Sequence, residues 1–223
     1  MLVVLLALAV AGWAFMFLPD ADGVWARTWM VAIVLSTAAA VGLAREGDLR
    51  TVLGPVTPFD VGLGLLVGGA WLVATHIGHT VLCRLFPSFI DRVNDLYSLK
   101  EDARIAPVVG PLVAMGITEE LVFRGYVQGR LGLVVAIVAY AGVQLVVRNW
   151  ALVLAAVLCG AVWGTLAWWR DGLVAAAFAH VLWTGALAFA WPLKGCKGRL
   201  GPAEIEAVQT SSPRSNQPEG HTA

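Results

Sequence analysis

Glu119 and Glu120 stand side by side in the stretch ITEELVFRGY, residues 117–126, and Arg124 follows four residues after the second. Carboxylates can do general acid–base chemistry, and a guanidinium can hold one of them in place as a counter-charge. Glu120 and Arg124 sit at i and i+4 with the acid N-terminal, the favourable order for a same-face helical pair, so Arg124 can neutralise Glu120. Glu119 points about 100° away around the helix and has no local partner. A carboxylate outside any ion pair, in a partly dry site, is a candidate general base. The plain alternative is a structural knot, or a charged helix end hanging into water. Gln128 and Arg130 suit that alternative.

His180, in GLVAAAFAHVLWTG, is the next singular residue. A lone buried histidine is more often a hydrogen-bonded packing residue. Its shared membrane setting with Glu119 favours a functional role, and Thr184 at i+4 can hydrogen-bond toward the same site. His76 and His79 lie one turn apart in ATHIGHT. They could share a metal or a proton, or merely face a cavity or interface near a helix end. Cys83, Cys159 and Cys196 are scattered, with no CxxC spacing.

These groups must be positioned by an apolar chain. Of 223 residues, 59% are hydrophobic and 13% charged, with a mean hydropathy of +0.77, against roughly 25% charged in a soluble domain. Apolar runs at 2–18, 28–44, 61–83, 105–123, 131–147, 150–169 and 172–193 predict an all-α, polytopic transmembrane bundle of about seven spans. An ionisable group at mid-helix in a membrane costs at least roughly 2.5–3.5 kcal/mol, so three within six residues need a reason. The first run lacks a basic flank and reads as a span rather than a signal peptide. Arg and Lys placement puts the N-terminus outside and the C-terminus inside. Zero net charge and no basic stripe exclude nucleic acid as a partner.

Between the spans, REGDLRTVLGPVTPFD reads as an interfacial loop, and residues 84–104 as an amphipathic helix on the membrane surface or else a solvated loop. Gly62, Gly64, Gly68 and Gly69 predict close helix packing. The chain divides into 1–104, N-terminal spans and surface segment; 105–193, the core; and 194–223, a disordered polar tail.

EELVFRG resembles the EExxxR signature of the CPBP intramembrane proteases, the CAAX-processing and bacteriocin-processing family, over roughly residues 105–193. The order also fits: an EExxxR helix, a second motif helix, the Gly-rich LCGAVWGTLAWW, then RDGLVAAAFAHVLW. The resemblance implies a four-helix catalytic core in which a glutamate activates water against a peptide bond, while histidine and amide side chains hold the oxyanion. Carried over, Glu119 is the base, Glu120 with Arg124 organises the helix, and His180 orients water or stabilises the intermediate.

Two positions depart from the family pattern. Its FxxxH motif is YAGVQ here, with Tyr140 at the aromatic place and Gln144 where histidine is expected; Thr184 stands where Asn or Asp follows the final His. Gln144 takes up no proton but can donate to an oxyanion. A catalytic zinc takes three protein ligands. Glu119 and His180 supply two and Gln144 is a poor third; His76 or His79 could fill the gap, but nothing in the sequence places them near the site, so a divalent metal is possible but disfavoured.

Three functions compete. The first is an intramembrane endopeptidase acting on a peptide or protein substrate, membrane-anchored or CAAX-like, in the lipid bilayer. The second is a catalytically impaired member serving as a membrane scaffold or immunity-type protein, suggested by Gln144 and Thr184. The third is a proton-coupled carrier, against which stands the lack of an internal repeat. The Ala-, Val-, Gly- and Trp-rich composition hints at a GC-rich bacterial genome, so the expected location of a multi-pass chain is the bacterial cytoplasmic membrane.

Overall fold

The computed structural model describes residues 1–18, 23–98 and 105–193. Their regular elements are all helical: α1 (Leu2–Phe17), α2 (Val24–Glu46), α3 (Leu49–Leu53), α4 (Pro58–Leu85), α5 (Ser88–Ser98), α6 (Ile105–Glu119), a π-helical stretch (Glu120–Gln128), α7 (Gly129–Leu131), α8 (Leu133–Gln144), α9 (Trp150–Arg170) and α10 (Val174–Gly185). Short 3-10 and π-helical turns extend α8 and α10, over Leu145–Val147 and Ala186–Ala190.

The all-α membrane bundle expected from composition is what forms, with a difference in length. α2, α4 and α9 are long and apolar enough to cross a membrane, whereas Leu2–Phe17, Leu133–Val147 and Val174–Ala190 are shorter apolar helices. The helix bearing the glutamates runs on from α6 through the π-helical stretch to Leu131, well past the expected end at 123.

Apolar residues on every face are the mark of a helix in lipid, so periodicity says little about which side packs. In α1 the buried side is Leu5, Ala9, Trp13 and Met16, one residue every three or four, while Val3, Val4, Val10 and Phe15 are exposed. α4 lies along α10, α8 along α9, and α2 along α6. Two of the four glycines expected to pack closely, Gly64 and Gly68, account for the first contact. A Cβ on Gly64 would come within 2.5 Å of the Ala175 carbonyl oxygen, and one on Gly68 within 2.7 Å of that of Ala179. Gly62 and Gly69 face open space, so the expected packing role falls on half of the set.

The segment read as an interfacial loop holds α3 and the start of α4. Thr57 caps α4 by accepting from the Asp60 N–H at 3.1 Å, with Pro58 in the first turn. Asp60 also accepts from Arg170 Nε at 2.7 Å, tying the start of α4 to the end of α9. The amphipathic helix expected within 84–104 is α5, and its apolar face does not simply lie on lipid. Phe89 and Val93 are buried against Cys83 and Ala151, and Asn149 Nδ2 donates to the Arg92 carbonyl at 2.8 Å. The tail expected over 194–223 lies outside the described residues.

Candidate active site

Glu119 ends α6 and Glu120 opens the π-helical stretch. Bonding there is i→i+5, a rare geometry that is frequent at functional sites. All residues from Glu120 to Val127 are buried, so the motif lies inside the bundle and is not a charged end in water. Arg124 Nε stands 3.4 Å from Glu120 Oε2, the pair expected from spacing. The guanidinium also lies over the Tyr140 ring, 4.4 Å from its centroid, a cation–π contact.

The local pair is only part of Glu120's setting. His180 Nδ1 donates to Glu120 Oε1 at 2.8 Å. A carboxylate accepts and cannot donate, so the proton sits on Nδ1 when His180 is neutral, and Nε2 is left as the acceptor. That Nε2 lies 3.7 Å from Glu119 Oε2. The imidazole thus stands between the two glutamates, with Trp163 stacked beside it at 6.0 Å and 21°.

Glu119 lacks a partner on its own helix but has one across the bundle. The Tyr140 hydroxyl donates to Glu119 Oε2 at 2.5 Å, both groups buried. By its place in YAGVQ, Tyr140 is marked only as the aromatic of the motif; the signal for its contact with Glu119 is the hydroxyl that distinguishes it from the phenylalanine of FxxxH. One turn on, buried Gln144 accepts from Trp13 Nε1 at 2.7 Å. Nothing in the first helix had marked Trp13, one of 10 tryptophans in the chain.

A cavity of about 460 Å³ opens on this cluster. Glu119, Tyr140, Gln144, His180, Thr184 and Trp13 line it, while Glu120 and Arg124 do not. The α5 residues Phe89, Val93, Leu96 and Tyr97 line it as well, so the amphipathic helix lies across the space. The rest of the wall is chiefly apolar, and Trp71, which donates to Cys159 Sγ at 3.3 Å, is part of it.

Thr184 Oγ1 is buried without a hydrogen-bond partner, on the same helix as His180. The two α4 histidines diverge: His79 lines the cavity with Nε2 3.6 Å from Cys83 Sγ, while His76 stacks on Trp191 at 3.9 Å. They do not form a joint site. Among the described residues no group of three or more His, Cys, Asp or Glu is arranged to hold a metal ion.

Residues 102–186 match the family model described as Type II CAAX prenyl endopeptidase Rce1-like. The match bears out the resemblance read from EELVFRG and includes Glu119, Glu120, Arg124, Tyr140, Gln144, His180 and Thr184. At family level it supports a CAAX-protease-like membrane enzyme. No curated protein and no solved structure matches the chain. Trp13 and the whole of α1 to α5 lie outside the matched segment.

Proposed function

We propose that this protein is an intramembrane endopeptidase in which Glu119 activates water against a peptide bond presented in the cavity. The observation that carries the reading is the placement of Glu119 and the free Nε2 of His180 on one cavity wall, 3.7 Å apart, with Glu120 behind the imidazole. Glu119 takes a proton from water as its oxygen attacks the carbonyl carbon, and returns it to the amine as the C–N bond breaks. His180 Nε2 accepts the water's other hydrogen and so aims its lone pair. The Gln144 amide donates to the oxyanion. Glu120 holds the imidazole tautomer, and Arg124 balances the charge of Glu120 away from the cavity. A membrane-anchored peptide or protein substrate fits the apolar walls.

A second reading has its own observation. The Tyr140 hydroxyl occupies Glu119 Oε2, the oxygen that also faces His180, and so competes for the place of the attacking water. With Gln144 and Thr184, this favours an impaired member acting as a scaffold or immunity-type protein. A cleavage assay on purified protein in lipid separates the two, using wild type, Glu119→Gln and Gln144→His. Cleavage by wild type that vanishes in Glu119→Gln supports the peptidase. Silence in wild type with activity in Gln144→His supports the impaired member.

A further inference from the structure

Gln144 is buried and belongs to the cavity wall, and one of its two polar atoms is already engaged. An amide side chain can turn by half a rotation and exchange its oxygen and nitrogen. Oxygen forward, it presents an acceptor that repels an oxyanion; nitrogen forward, it presents two donors. Chemistry beside it decides which. The indole N–H of Trp13 donates and cannot accept, so the Gln144 atom 2.7 Å from it has to be the oxygen. Among the described residues nothing accepts a hydrogen bond from the amide nitrogen, whose side chain lines the cavity that also holds Glu119. Turning the amide over would set N–H against N–H in a buried place and leave both without an acceptor, a costly state.

We infer that Trp13 is a positioning residue: its indole N–H locks the Gln144 amide with the NH2 group toward the cavity, so that a neutral side chain serves as a one-way oxyanion donor. This rests on the peptidase reading. It makes α1, outside the family-matched residues 102–186, part of the active-site machinery. It also explains how glutamine can stand at a histidine position. The same Trp13 N–H would hold an imidazole placed at 144 by one ring nitrogen, in its neutral form, and leave a single N–H for the cavity.

The test uses the full chain in lipid nanodiscs and two probes: a hexapeptide, and the same peptide with its central peptide bond replaced by a phosphinate, which carries the tetrahedral geometry and charged oxygen of the intermediate. Wild type is expected to bind the phosphinate more tightly than the parent peptide. Trp13→Phe keeps an aromatic ring and removes the N–H. It should weaken phosphinate binding about tenfold, the scale of one hydrogen bond to a charged group, and leave the parent's affinity unchanged. In a Gln144→Ala background the same change should have no further effect.

Phosphinate binding that Trp13→Phe leaves intact, or weakens equally in the Gln144→Ala background, overturns the inference. A wild type with no preference for the phosphinate overturns the peptidase reading itself. If Trp13→Phe unfolds, 3-benzothienylalanine at position 13 keeps the bicyclic shape, removes only the N–H, and carries the same expectations.

Discussion

His180 and Glu120 are joined at 2.8 Å between Nδ1 and Oε1, so the glutamate that pairs locally with Arg124 also sets which nitrogen of the imidazole faces the cavity. One carboxylate serves two helices, and neither link could replace the other. Removing it leaves a buried guanidinium without its counter-ion and an imidazole free to change tautomer.

The two neighbouring glutamates should therefore fail differently. Glu119→Gln is expected to abolish turnover with the unfolding midpoint near that of wild type, because the amide oxygen still accepts from Tyr140. Glu120→Gln is expected to destabilise the fold by about 3–5 kcal/mol, the scale for breaking a buried ion pair. Cleavage rates and denaturation in detergent, run on the same preparations, check both.

Tyr140→Phe restores the family's aromatic ring and removes only the hydroxyl. If the hydroxyl holds Glu119 in a working rotamer, turnover falls about tenfold and KM is unchanged. A rise in turnover would instead show that Tyr140 blocks the water position, and would favour the impaired reading. Loss of a hydrogen bond to a charged acceptor should also cost about 1.5–3 kcal/mol of stability.

The α4 glycines offer a paired control. Gly68→Ala would drive a Cβ into the Ala179 carbonyl, one residue before His180, and should cost about 1–3 kcal/mol through overpacking. Gly69→Ala, facing open space, should fall within about 0.5 kcal/mol of wild type. Similar losses at both positions would contradict the observed α4–α10 contact.

α5 is fastened across the cavity by Tyr97, whose hydroxyl donates to the Leu187 carbonyl at 3.0 Å and accepts from the Leu193 N–H at 2.9 Å. Burial pushes the Tyr97 phenol above its ordinary value, which is about 10. A raised folded-state value means that the neutral phenol stabilises the closed arrangement. That contribution is complete below about pH 10 and is lost as pH rises through the folded value. Amide exchange in α5 should accelerate on that alkaline limb, and Tyr97→Phe should show fast exchange already at neutral pH.

How much of this was legible in the sequence varies by residue. The membrane class followed from composition, since so apolar a chain has few alternatives. The Glu120–Arg124 pair followed from spacing, since residues four apart in a helix are neighbours whatever surrounds them. The order of motifs pointed to Glu119, Gln144, His180 and Thr184, and all four line one cavity. Helix lengths were less legible: α8 and α10 are shorter than their apolar runs, because hydropathy marks where a chain tolerates lipid and not where its helix ends.

The remaining relationships cross between helices, and only packing decides them. In lipid the outward side of a helix is as apolar as the inward side, so no pattern in α1 separates Trp13 from its neighbours. Nor does any separate Gly64 and Gly68 from Gly62 and Gly69. Which side turns inward depends on how each helix is rotated against the others. That rotation brings Tyr140 to Glu119, His180 to Glu120 and Trp13 to Gln144. By itself the sequence determined the medium, the local ion pair and the candidate chemistry; the tertiary structure decided which partner each polar group meets, because those partners lie 21, 60 and 131 residues apart.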